Sequence, residues 1–136
     1  MKKIFSLITL ASLLLLAETV SVFAQEPQEP DIDKIVSAQV ENLTRTFKLD
    51  EVQVFYVDSI LQYNYPAMMD ELNKTKRTGA SNDETFQSIS DKWMAATDEA
   101  FEKVFTEDQW QKYLKSTYGK EKKRRDKRIS DRQPAS

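Results

Sequence analysis

Apolar residues recur at helical spacing through most of the chain. Ile32, Val36, Val40, Leu43 and Phe47 fall at steps of four, four, three and four, one face of an amphipathic helix ending near Phe47 or Lys48. A second stripe runs through Val54, Val57, Leu61, Tyr65, Met68 and Leu72. Pro66 lies inside it, and an interior proline lacks an amide donor and crowds the preceding turn. The stripe keeps its phase across Pro66, so one long kinked helix from about Glu51 to Lys76 is expected rather than two short ones. Its opening residues Val52 to Val57 have high strand propensity, which the stripe outweighs. Thr78 to Asn82 form a loop, with Gly79 ending one helix and Ser81 or Asn82 capping the next. Phe86, Ile89, Trp93, Ala96, Ala100 and Val104, widened by Phe101, then predict a helix from about Asp83 to Val104. A short fourth helix carries Trp110, Tyr113 and Leu114 and stops at Gly119. No stretch of this body alternates with period two for long enough to compete. The expected fold is all-α, about four helices.

The first 24 residues have a different logic. Lys2 and Lys3 precede an apolar run from Ile4 to Leu16, and Val22-Phe23-Ala24 ends as a cleavage site does. This predicts an exported protein whose signal peptide is cleaved before Gln25; Glu18 interrupts the run too early for a spanning helix, which needs about 20 apolar residues. Residues 25–31, with two prolines, read as a flexible leader, residues 32–118 as a single helical domain, and residues 119–136 as a basic, disordered tail.

Charge and chemistry narrow the function classes. Without the first 24 residues the chain carries 18 basic and 21 acidic side chains; 8 and 3 of these lie from Gly119 onward, leaving a body of net −8. Cysteine and histidine are absent, so disulfides, a Cys-linked lipid anchor, and the commonest general base and metal ligand are all missing. Ser90 with Lys92 makes no recognisable nucleophile, and the many carboxylates form no dyad distinguishable from chance. The expectation is no enzyme, no metal and no cofactor. Asn42-Leu43-Thr44 and Asn73-Lys74-Thr75 match the glycosylation sequon by pattern.

One string occurs twice. LDEVQV (residues 49–54) and FTEDQW (residues 105–110) each place an apolar residue, a capping oxygen, Gln three positions later and another apolar residue. Asp50 and Thr106 can cap the first-turn amides, Gln53 and Gln109 can reach back to the cap amide, and Leu49 with Val54, like Phe105 with Trp110, can form a hydrophobic staple. Glu51, Glu107 and Asp108 add negative charge at the positive ends of the helices. On their chemistry these residues start helices rather than catalyse.

With export and an all-helical plan, the two strings resemble the Leu-Thr-x-x-Gln motifs of the Spy/CpxP family of bacterial periplasmic proteins. Asp50 stands where the first motif has threonine, and Phe105 where the second has leucine; both departures leave the capping chemistry intact. The resemblance implies a hairpin-like four-helix fold that pairs into a thin curved dimer. It implies a protein that holds unfolded or misfolded envelope proteins without ATP, or contacts a membrane stress regulator. The histidine-rich metal segments of some relatives are absent, and the acidic body departs from a family surface described as basic and apolar.

Met69 and Met94, beside their stripes, and Trp93 are the expected client or partner contacts. The basic tail suits an anionic membrane surface, an acidic client or the acidic body itself, but reads first as a solvated end. Nucleic acid is disfavoured by the export signal. The leading expectation is a periplasmic, ATP-independent chaperone or stress-response accessory; the alternative is a partner-specific helical module without general holding activity.

Overall fold

The computed structural model describes residues 30–80 and 82–134. The expected signal peptide, residues 25–29 of the leader, and Ser81 lie outside the described residues. Among the described residues there are five helices: α1 (Ile32–Phe47), α2 (Glu51–Arg77), α3 (Asp83–Val104), α4 (Glu107–Lys115) and α5 (Thr117–Arg132). The class is all-α, with one helix more than periodicity predicts. Among the described residues no helix is long and apolar enough to cross a membrane.

Helix α1 begins at Asp31, whose side chain accepts from the Lys34 amide, and ends at Lys48 in the left-handed region. That turn reverses the chain within three residues and lays α2 against α1. Helix α2 runs unbroken through Pro66. Gly79, at φ 69°, closes the next turn where a side chain would be strained. Asn82 caps α3, accepting from the Thr85 amide, and α3 packs along α2.

The core gathers at one end of this hairpin. Val36, Leu43 and Phe47 of α1 meet Val57 and Leu61 of α2, Phe101 of α3, Phe105, and Trp110 and Tyr113 of α4. Phe101 stacks on Phe105 at 5.5 Å, Trp110 on Tyr113 at 5.0 Å and Tyr113 on Tyr118 at 5.4 Å between ring centroids. Toward the other end, Tyr65, Met68 and Leu72 are only half-buried, leaving the distal part of α2 and α3 as a two-helix arm.

The basic segment after Tyr118 is not a separate, unfolded tail. Ser116 ends α4 and starts α5, its hydroxyl donating to the Tyr113 carbonyl and accepting from the Tyr118 amide. Gly119 does not stop a helix; it lies inside α5, where a Cβ would fall 1.9 Å from the Leu114 carbonyl oxygen. Only glycine permits that approach. Helix α5 then packs along α3 through the positions 118, 122, 125, 129 and 132, a helical face made mainly of Lys and Arg stems.

The facing side of α3 explains why this works. Asp98 is 3% exposed; its carboxylate accepts from Tyr113 Oη at 2.7 Å and from Arg125, itself 7% exposed, at 2.5 Å. Two turns earlier Asp91 receives Arg128 at 2.7 and 3.0 Å, Arg132 at 2.8 Å and Gln87 at 3.0 Å. Burial opposes ionisation of Asp91, but the bonds from Arg128, Arg132 and Gln87 outweigh it and hold the carboxyl at about 2. Burial, then the Asp98 charge, pushes the Tyr113 phenol well above its ordinary range, so it donates as a neutral hydroxyl.

Candidate functional site

The two repeated strings meet in space. Asp50 Oδ1 accepts from the Gln53 amide at 2.8 Å while Gln53 Oε1 accepts from the Asp50 amide at 3.0 Å. Thr106 and Gln109 do the same at 3.3 and 2.9 Å. Leu49, Phe105 and Trp110 are buried in the core, with Val54 packed against it, and the Phe105 and Trp110 rings lie edge to face at 6.5 Å.

The two glutamines also bond each other. Gln53 Nε2 donates to Gln109 Oε1 at 2.6 Å, and Gln109 Nε2 donates to Gln53 Oε1 at 3.2 Å. Each amide has a hydrogen left over. Gln53 gives its to the Val104 carbonyl at 3.1 Å, and Gln109 gives its to the Phe47 and Lys48 carbonyls at 3.3 Å. The orientation of both side chains follows from valence: each Oε1 must face its own N-cap N–H, so each Nε2 faces away from it. One clasp thus joins the starts of α2 and α4 to the ends of α1 and α3, at the four helix termini where backbone groups lack helical partners. Glutamate would complete a capping box equally well. Only glutamine can also donate. This is a structural hub, with both amides committed internally.

The surface offers a different feature. Val52, Phe55, Tyr56 and Tyr63 of α2 are 65, 67, 51 and 72% exposed. They lie at steps of three, one and seven, on the side of α2 away from Val57 and Leu61. Phe55 and Tyr56 meet edge to face at 5.7 Å. None of them belongs to the apolar stripe of α2, and none is a methionine. The available signal was that residues 52–57 are apolar nearly all round, more than one buried face of a helix requires. Phe55 also borders an open groove of about 640 Å³ between α1 and α2.

The contacts expected from sequence are less available. Trp93 is half-buried, its Nε1 donating to Glu71 at 2.7 Å, and the Lys92 ammonium lies 5.2 Å from its ring. Bonds from Lys92 and then Trp93 lower the Glu71 carboxyl below its ordinary value. Met69 is half-buried in a hollow of the arm beside Leu72 and Phe86. Met94 is half-buried as well. The structure does not bring Met69, Met94 and Trp93 into the exposed α2 face.

Comparisons with protein-family models, characterised proteins and solved structures find no match.

Proposed function

We propose that this protein is an ATP-independent holding chaperone of the bacterial envelope, exported by its N-terminal segment and related to the Spy/CpxP family. The observation that carries the proposal is the second apolar face of α2. Large apolar side chains on a helix are ordinarily turned inward, and several exposed on one side, here Val52, Phe55 and Tyr56 with Tyr63 two turns on, mark an interaction surface. Here the set sits on a continuous helix anchored at its start by the glutamine clasp, so the backbone is already ordered and only the side chains are immobilised on binding. Aromatic residues suit the task because they present much apolar area with few rotatable bonds.

The family relation rests on the doubled string, the helical plan and the signal-like N-terminus. Pairing into a dimer, as in that family, would use the same face and compete with clients. Unfolded envelope proteins are the proposed partners; an envelope stress regulator is the alternative, served by one discrete complex rather than general holding. Contact of the basic segment with a membrane is a weaker proposal, since Arg125, Arg128 and Arg132 are engaged with Asp98 and Asp91.

Residues 25–136 at a near-stoichiometric ratio should slow the aggregation of several chemically unfolded clients, without nucleotide. Protection of none of them, together with a single partner captured by crosslinking in envelope extracts, would establish the partner-specific module instead.

A further inference from the structure

The groove between α1 and α2 differs from the rest of the apolar face in its charge. Its floor is Val40, Val54 and the exposed Phe55; its rim carries Glu41, Glu51 and Asp58 against the single cation Arg45. Among the described residues none of these four makes an ion pair. Among the described residues other exposed carboxylates divide: Asp70, Glu99, Asp108 and Asp126 each hold a lysine within their own helix, whereas Asp83, Glu84 and Glu102 form no ion pair; what sets the groove apart is three carboxylates gathered beside one apolar floor. The groove has the volume of a ligand pocket, about 640 Å³, but is open to solvent, which suits a chain segment better than an enclosed small molecule.

An apolar floor rimmed by unpaired carboxylates selects by sign. We propose that the α1–α2 groove binds polypeptide segments in which an apolar stretch is flanked by Lys or Arg. The apolar side chains cover Val40, Val54 and Phe55, and the flanking cations meet Glu41, Glu51 and Asp58. The same rim rejects acidic segments, which would bring like charges together on a partly desolvated surface. This inference rests on the holding function above and specifies which clients it favours.

The test uses residues 25–136 and three fluorescent peptides sharing one Leu/Phe core, flanked by Lys, Ser or Glu. Anisotropy at low salt should show the Lys-flanked peptide binding roughly tenfold tighter than the Ser-flanked one, from two or three screened ion pairs, and the Glu-flanked one weakest. At 1 M NaCl, where the screening length is about 3 Å, the three should converge. The Glu41→Lys/Asp58→Lys variant should invert the order, whereas Glu102→Lys, an exposed change on α3, should leave it intact. Equal binding of all three peptides overturns the charge selection and leaves the holding function standing. Inversion by Glu102→Lys as well assigns selection to overall charge and overturns the groove. Binding of none of them to the folded protein overturns the holding function itself, and the groove with it.

Discussion

Gln109→Glu separates two views of the repeated string. If each string is only an independent helix start, glutamate is an adequate replacement, because it accepts from the Thr106 amide as glutamine does and adds charge at the positive end of α4, worth about 0.3–1 kcal/mol. In the clasp the same change is costly. It removes the donation to Gln53 Oε1 and to the Phe47 and Lys48 carbonyls, and turns a carboxylate oxygen toward acceptors at the negative end of α1. Two lost hydrogen bonds at about 1 kcal/mol each, with a further unfavourable contact of about 1 kcal/mol, outweigh the dipole gain and leave a net loss of about 2 kcal/mol. For a domain of this size that lowers Tm by roughly 8–10 °C. Urea titration followed by helical circular dichroism measures it directly. Gln53→Ala and Gln109→Ala should then combine to less than the sum of their separate effects, by about 1 kcal/mol. A Gln109→Glu protein within about 0.5 kcal/mol of wild type, or strictly additive alanine variants, would dissolve the clasp into two unrelated caps.

Further outcomes follow from other elements. Thr106→Ala should cost about 1 kcal/mol in denaturant and leave client protection intact where the protein remains folded. Gly119→Ala, ordinarily favourable within a helix by about 1 kcal/mol, should instead destabilise by about 2 kcal/mol or more, because its Cβ meets the Leu114 backbone; the same urea titration reads the sign. Asp91, held at about 2 against an ordinary 3.8, contributes stability that is complete above pH 5 and lost as pH falls through 3.8 toward 2. The gap of about 2 kcal/mol between wild type and Asp91→Asn at pH 7 should therefore narrow steadily over that window in unfolding curves.

Helices α1, α2 and α3 follow apolar stripes that can be counted along the chain, and Pro66 leaves α2 continuous as the preserved phase implies. Helix α5 escapes such counting because its packed face holds Tyr118 and Ile129 among Lys122, Arg125 and Arg132. Hydrophobic periodicity does not register arginine stems lying over buried aspartates. A trace was present: Asp91 and Asp98 are two turns apart on α3, and Arg125 and Arg132 are two turns apart on α5. On α3 the burial of Asp91 and Asp98, with Ala96 exposed, shows the packed face rotated from the apolar stripe by this second partner.

Capping is local, so its residues can be assigned from spacing alone. The bond between Gln53 and Gln109 spans 56 positions and depends on how α2 and α4 are brought together, which no local pattern encodes. The α2 face was obscured for the opposite reason: Val52, Phe55, Tyr56 and Tyr63 were visible as apolar residues, but an apolar residue in a helix is first assigned to the core. Met69, Met94 and Trp93 suit a contact by residue type but are half-buried, whereas Val52, Phe55, Tyr56 and Tyr63 are exposed.

The central proposal is that the exposed face of α2 holds unfolded chains. Phe55→Ser/Tyr63→Ser removes two aromatic rings that the folded protein leaves exposed, so stability should change by no more than about 0.5 kcal/mol for each. Covering such a ring fully stabilises a complex by about 1.5–3 kcal/mol; allowing for partial contact, the pair accounts for at least a tenfold change in affinity. Light scattering from an aggregating client, measured across chaperone concentrations, should show the half-protective concentration rising tenfold or more for this variant and barely moving for Met69→Ser/Met94→Ser. Undiminished protection by folded Phe55→Ser/Tyr63→Ser protein would contradict the assignment of client binding to α2.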